Sequence, residues 1–256
     1  MRIVSLAPSV TSILLALGAQ KELVGVTKWC KEIADIGPRP QVGDCWKLDI
    51  REIMRLKPTL LIGSVPFATQ TVATILEQPA AFLALNPRSL ANIEANIRLL
   101  GEITGKETRA SRLIGEMRTG FAAIKRQARA ARQTRQLRVY SEAWPNPRIS
   151  SPPWVSEIIQ LVGGLAVVPG GQRITDEAVS RANPDLIVLA WTATSDRAKP
   201  QSALRNPLWE NVPAVKTGRV VVIRDELLNT PGPPLLKGAR TLLQAMYPGL
   251  SKRKVP

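Results

Sequence analysis

The sequence predicts an α/β protein of two lobes joined by one long helix, and three observations carry that prediction. A helix-to-strand unit occurs twice, at residues 49–63 and again at 175–190. Between the copies runs the most regular amphipathic stretch of the chain, residues 106–133. On both sides of that stretch short apolar runs alternate with helical patterns, the order that builds parallel sheets with helices packed on them.

Each copy opens on a residue that can cap a helix, Asp49 or Thr175, nine positions before a proline, and Asp49 with Glu52 has capping-box spacing. Pro58 and Pro184 cannot continue those helices, and the apolar runs behind them read as buried parallel strands. Strands are expected at 3–6, 23–26, 59–63 and 82–85, and helices at 11–17, 50–56, 69–78 and 90–103, with Gly18 a natural stop for the first helix. Leu113, Met117, Phe121, Ile124, Ala128 and Ala131 recur every three or four residues, so 106–133 is a helix of roughly 40 Å, with Gly115 and Gly120 as weak points. Beyond it, strands are expected at 137–140, 166–168, 186–190 and 219–223, and helices at 155–161, 176–182, 204–209 and 234–246. The boundaries that follow are an N-terminal lobe at 1–104, a connecting helix at 105–135, a C-terminal lobe at 136–250 and a basic tail at 251–256.

Composition excludes several classes. No run approaches the ~18 to 20 apolar residues of a membrane-spanning helix. Histidine is absent, which removes Ser-His and Cys-His nucleophilic pairs, imidazole metal sites and the commonest general base; with no paired-carboxylate motif or phosphate loop, no enzyme is expected. Met1 leads straight into the first strand, which leaves no room for a signal peptide. The expected location is periplasmic or cell-surface for a mature chain and cytoplasmic if Met1 is the native start. The net charge is +15, and ten Lys or Arg against two Glu between Thr104 and Arg138 put +8 of it on one segment. That basic face reads as solvated; an acidic partner or nucleic acid is the alternative, although no interleaved aromatics accompany it.

Only eleven aromatic residues are present, so their positions are informative. Trp29, Trp144 and Trp191 each follow a predicted strand, where open parallel sheets gather their ligand loops, and Trp46 joins them from a neighbouring loop. Arg148, Arg173 and Arg197 lie on nearby loops, as do Cys30 and Cys45, for which a thiol pair and two merely small residues both remain open. Indoles with nearby arginines suit a large, flat, partly anionic small molecule.

Residues 1–12, 15–18 and 23–26, Leu56-Lys57-Pro58, the stretch EAWPNP at 142–147, 154–157, Gly163-Gly164, 206–209, 213–215, 218–220 and 231–233 together resemble the class III periplasmic binding proteins, the helical-backbone receptors, and within them the cobalamin-binding branch. The resemblance implies two Rossmann-like α/β lobes joined by a single backbone helix, with the ligand held between the lobes and delivered to an ABC permease. It implies a corrinoid, haem or ferric siderophore as ligand, no intrinsic cofactor and a monomer. Trp29, Cys30, Trp46, Trp144, Arg148, Arg173 and Trp191 are then the candidate ligand-binding residues. The resemblance further implies docking to the permease through one acidic residue per lobe on the helix before the proline; Glu177, seven residues before Pro184, holds one such place, whereas Arg51 stands seven before Pro58 and its neighbour Glu52 is the candidate there. A cytoplasmic interaction protein of the same fold, its basic helix meeting an acidic partner or nucleic acid, is the alternative.

Overall fold

The structure, a computed structural model, describes residues 1–43, 48–131, 135–194 and 197–252, the last two by their backbone alone. It divides into two units, Met1–Glu116 with Pro231–Pro233 and Met117–Thr230 with Pro234–Pro256.

The first unit contains β1 (Ile3–Ser5), α1 (Pro8–Ala16), β2 (Leu23–Thr27), β3 (Gln41–Val42), α2 (Ile50–Arg55), β4 (Leu60–Ser64), α3 (Thr69–Leu76), β5 (Ala81–Leu85) and α4 (Leu90–Thr104). Its sheet is parallel throughout, in the order β3-β2-β1-β4-β5, with fully buried β1 at the centre. Helix α1 begins three residues before its apolar periodicity does, because Pro8 at the first helical position needs no N–H partner and already has helical φ. The Asp49 carboxylate caps α2, accepting from the N–H groups of Arg51 at 2.9 Å and Glu52 at 3.3 Å. Helix α4 closes on Gly105 in the left-handed region, which leads into α5 (Glu107–Ala131). α5 runs unbroken through both of its glycines. A Cβ on Gly120 would lie 2.6 Å from Leu236 Cδ2, so a neighbouring helix occupies that space. Its buried stripe is Ala110, Ile114, Met117, Phe121, Ile124 and Ala128, with Ile114 in place of the expected Leu113.

The second unit contains β6 (Arg138–Pro145), β7 (Arg148–Ser150), α6 (Pro153–Leu161), β8 (Leu165–Ala166), α7 (Asp176–Ala182), β9 (Leu186–Leu189), α8 (Gln201–Leu204), α9 (Pro213–Lys216), β10 (Val220–Val222), α10 (Asp225–Leu228) and α11 (Leu235–Met246). The strand order is β10-β9-β6-β7, with β8 also on β6, and only β7 is antiparallel. Two expectations need correction here. Strand β6 continues five residues past Tyr140, because the turn at Asn146-Pro147 folds β7 back along it with Trp144 opposite Ile149; Trp144 therefore lies on a strand and not beyond one. The helix expected at 204–209 is α8 followed by a separate 3-10 turn, Pro207–Trp209, because Pro207 has no N–H to continue a helix and the Asn206 side chain caps the new turn through Leu208 N at 3.0 Å. Elements of two to four residues, β3, β7, α9 and α10, are too short for periodicity to show.

The two repeats share more than pattern. Thr175 caps α7 through Ala178 N at 3.2 Å, as Asp49 caps α2. The residue before each proline is left-handed, Lys57 at φ 47 and Asn183 at φ 46. The following strands, β4 and β9, are buried as their apolar runs predict. Among the described residues no helix is long and apolar enough to cross a membrane.

Candidate functional site

Parallel strands deliver their connecting loops to one end of a sheet, and side chains beyond the strand carboxyl ends are placed to meet a ligand. In the first unit β2 ends in a 3-10 turn, Lys28–Glu32, that presents Trp29 half-buried, with the Lys28 ammonium 4.7 Å from its ring centroid. Cys30, the next residue of the turn, is fully buried. Thr11 donates to its sulfur at 3.0 Å, Thr27 Oγ1 lies 3.3 Å away, and Thr11 is 2.8 Å from Ser5 Oγ. Burial pushes the thiol pKa up despite those hydroxyls, so Cys30 stays neutral and supports the turn from inside. A groove lined by Lys28, Gly43, Leu48 and the start of α2, from Asp49 to Glu52, opens at the same end of the sheet. Trp46 and Cys45 lie outside the described residues.

The second unit builds its carboxyl end around one carboxylate. Glu142 is fully buried on β6 and accepts from Tyr140 OH at 2.8 Å, from Trp191 Nε1 at 2.8 Å and from Arg148 Nη1 in a short contact. Arg148 also pairs with Asp176 at 2.9 Å, and its guanidinium lies 4.4 Å from the centroid of the Trp209 ring. Burial works against the Arg148 charge, but Glu142 and Asp176 outweigh it and raise its pKa. The Tyr140 phenol is raised far above its ordinary range by burial and then by the charge of Glu142. Arg148 is thus committed to two internal carboxylates.

Trp191, two residues beyond β9, is held half-buried by Glu142, whereas Trp144 is 41% exposed with its N–H on Asn146 O at 2.8 Å. The loop that carries Trp191 is clamped again from α10. Asn229 Nδ2 donates to Ala190 O at 2.6 Å, and the Ala193 N–H, on a residue at φ 60, donates to Asp225 Oδ2 at 3.3 Å. Burial, and then the charge of Glu226, push the Asp225 carboxyl up to about 7. Arg173 and Arg197 are exposed; Arg173 bridges to Ile149 through the backbone, and Arg197 Nε donates to Thr194 O at 3.2 Å. The structure therefore gathers Arg148 and Trp191 on one carboxylate, with Trp144 two residues along the same strand.

Glu142, Asp176, Asp225 and Asn229 were not among the expected site residues. Glu142 stands in the EAWPNP stretch, but with the strand expected to end at residue 140 nothing marked its carboxylate as buried; the α10 clamp gave no signal either, since it depends on a one-turn helix. Glu52 and Glu177 are both exposed, and the backbone N–H of Glu177 itself, together with the Thr175 hydroxyl, holds its carboxyl below the usual range and therefore ionised. Among the described residues no group of three or more His, Cys, Asp or Glu is placed to hold a metal ion.

Each α/β unit thus places an indole at the carboxyl end of its sheet, and the comparisons with known proteins give the arrangement a family. Residues 3–227 match the periplasmic binding protein family, and the chain belongs to it. That family comprises solute receptors, not enzymes. The chain is 28% identical to an uncharacterized ABC transporter substrate-binding lipoprotein, YvrC, of Bacillus subtilis, over 98% of this chain and 81% of that protein. It is 25% identical to a vitamin B12-binding protein of Pectobacterium carotovorum, over 99% and 92%. Among solved structures, it resembles the periplasmic heme-binding protein RhuT of Roseiflexus in apo form with a TM-score of 0.81 at 25% identity, covering 96% and 98%.

Proposed function

We propose that this chain is the extracytoplasmic receptor of an ABC importer and that its solute is a corrinoid or a related metal chelate, such as haem or a ferric siderophore. The observation that carries the reading is the pair of indoles at the carboxyl end of the second sheet, Trp144 exposed and Trp191 fixed by a buried carboxylate. Large aromatic faces held at a wet edge supply apolar contact to a flat ligand at little entropic cost. In the first unit Trp29 and Trp46 are the candidate aromatic contacts.

Because Arg148 is already paired, Arg173 and Arg197 are the better candidates for peripheral carboxylates or phosphate of the ligand. A chelate brings its own metal, which is consistent with a chain that has no histidine. Relatives described as vitamin B12-binding and heme-binding support this ligand class. Glu52 and Glu177 are the proposed permease contacts, where exposed carboxylates govern orientation and on-rate more than affinity. The relatives named above give the cytoplasmic alternative no support.

The test is a titration of intrinsic tryptophan fluorescence with cobalamin, cobinamide, haem and a panel of ferric siderophores. A macrocycle against the indoles quenches them, so saturable quenching by at least one chelate is expected. Linear, inner-filter attenuation by every compound would refute the ligand class.

A further inference from the structure

Charge is segregated in this chain more sharply than its total suggests. From Met117 to Ser141 there is no Asp or Glu, and from Leu227 to the last residue there is none either. The first stretch is the second half of α5 and the start of β6; the other contains all of α11. Both belong to the second unit and lie side by side there. Gly120 of α5 meets Leu236 of α11, and Gly163 lies against both Ala128 and Tyr247. Each helix buries an apolar stripe, Met117, Phe121, Ile124 and Ala128 on α5 and Leu235, Ala239, Leu242, Leu243 and Met246 on α11.

What remains outward on these helices is cationic. Lys125, Arg126 and Arg129 are exposed on α5 and Lys237 and Arg240 on α11, and none of the five has a carboxylate partner among the described residues. Arg240 stands one turn beyond Leu236, on the flank that meets α5. The exposed residues between them, Ala122, Gln127, Ala130 and Gln244, are small or amide-bearing. None of the large exposed hydrophobic side chains lies on either helix, so the face lacks the apolar anchor of a protein interface and the aromatic platforms of a single-strand nucleic-acid site. A diffuse anionic plane needs neither, only several cations on a rigid support, and five fall within the roughly four to eight that hold a basic segment to an anionic membrane.

We propose that this α5–α11 face docks the protein on an anionic phospholipid bilayer. The interaction is electrostatic and peripheral, it weakens with salt, and it is independent of the solute.

The experiment is co-sedimentation of the full chain with vesicles of phosphatidylglycerol and phosphatidylcholine in equal parts, compared with phosphatidylcholine alone. Expected is binding to the anionic vesicles at about 0.1 M salt that falls steeply as salt is raised, and none to the neutral ones. Replacing Lys125, Arg126, Arg129, Lys237 and Arg240 together by glutamine should lower that binding at least about tenfold. Replacing five exposed cations of the first unit, Lys21, Lys31, Arg55, Arg88 and Arg98, removes the same charge and should change it less than about twofold if the face, and not net charge, is responsible. All ten positions are exposed, and far-ultraviolet circular dichroism checks that both variants keep the wild-type fold. Equal losses in the two variants, no preference for anionic vesicles, or retention on polyuridylate RNA without vesicle binding would each overturn the proposal.

Discussion

The carboxyl ends of the two sheets solve one packing problem with opposite chemistry. In the first unit the central strand β1 ends on Ser5, which joins Thr11, Cys30 and Thr27 in a small neutral network at the turn that carries Trp29. In the second unit the central strand β6 carries Glu142, which draws Tyr140, Arg148 and Trp191 onto one buried carboxylate and reaches Asp176 through Arg148. A neutral network is inexpensive to bury and inexpensive to lose. A charged one holds its members in a single geometry but fails badly when one member is removed. Trp191 is thus tied to the same buried carboxylate that orders Tyr140 and Arg148, so in the second unit the proposed ligand contact shares its support with the core.

The widest test of that contrast is Glu142→Ala, which leaves the guanidinium of Arg148 buried with half its compensation and strips a partner from Tyr140 and Trp191. A loss of ~3 to 5 kcal/mol is expected from urea denaturation, with Glu142→Gln costing less. A loss below about 1 kcal/mol would mean that the two networks do not differ as described.

The α10 clamp gives the second unit a pH dependence in the acid-to-neutral range. The folded pKa of Asp225 is about 7, above the ~3.9 of an unfolded aspartate, so the native state binds the extra proton between those values. Its contribution is complete below about pH 4 and is lost as pH rises through 7, by up to ~1.4 kcal/mol per pH unit and ~4 kcal/mol across the window. Asp225→Asn should flatten that part of the stability profile measured by denaturant melts from pH 4 to 8. An unchanged slope would show that another group titrates.

In the first unit Thr11→Val removes a hydroxyl from the neutral network at nearly constant volume, and ~1 to 2 kcal/mol is expected in the same melts. A cost matching that of Glu142→Ala would erase the distinction. The smallest effect tests the repeat itself. Lys57 and Asn183 hold the same left-handed turn before proline, but asparagine tolerates it and lysine does not. Lys57→Gly should stabilise the fold by ~1 kcal/mol or less, seen as a slightly higher melting temperature, and Asn183→Ala should destabilise it by a similar amount.

That repeat was legible because its causes are local. A capping side chain, a proline and an uninterrupted apolar run act within a dozen residues, and α7 forms at the very residues its pattern marks. The long helix was legible for the same reason. Strand β6 was truncated at Tyr140 because its last residues are stabilised by a hairpin with β7, and the helix expected at 204–209 gave way to Pro207.

The site was legible only in part. Tryptophans after strands could be placed by topology, but the pairing of Arg148 with Glu142 and Asp176 is a tertiary fact, and so is the burial of Cys30. Charge along a helix was visible as a count; its continuation onto α11 required knowing which helices are neighbours.

Most directly at issue is whether the carboxylate-bound indole of the second unit touches the solute. Calorimetric titration of whichever chelate quenches fluorescence, into wild type, Trp191→Ala and Trp144→Ala, measures this. Binding should be saturable and weaken by ~1 to 3 kcal/mol in Trp191→Ala, with a smaller loss in exposed Trp144→Ala. Wild-type affinity in both variants would contradict the account and move the ligand away from the end of the second sheet.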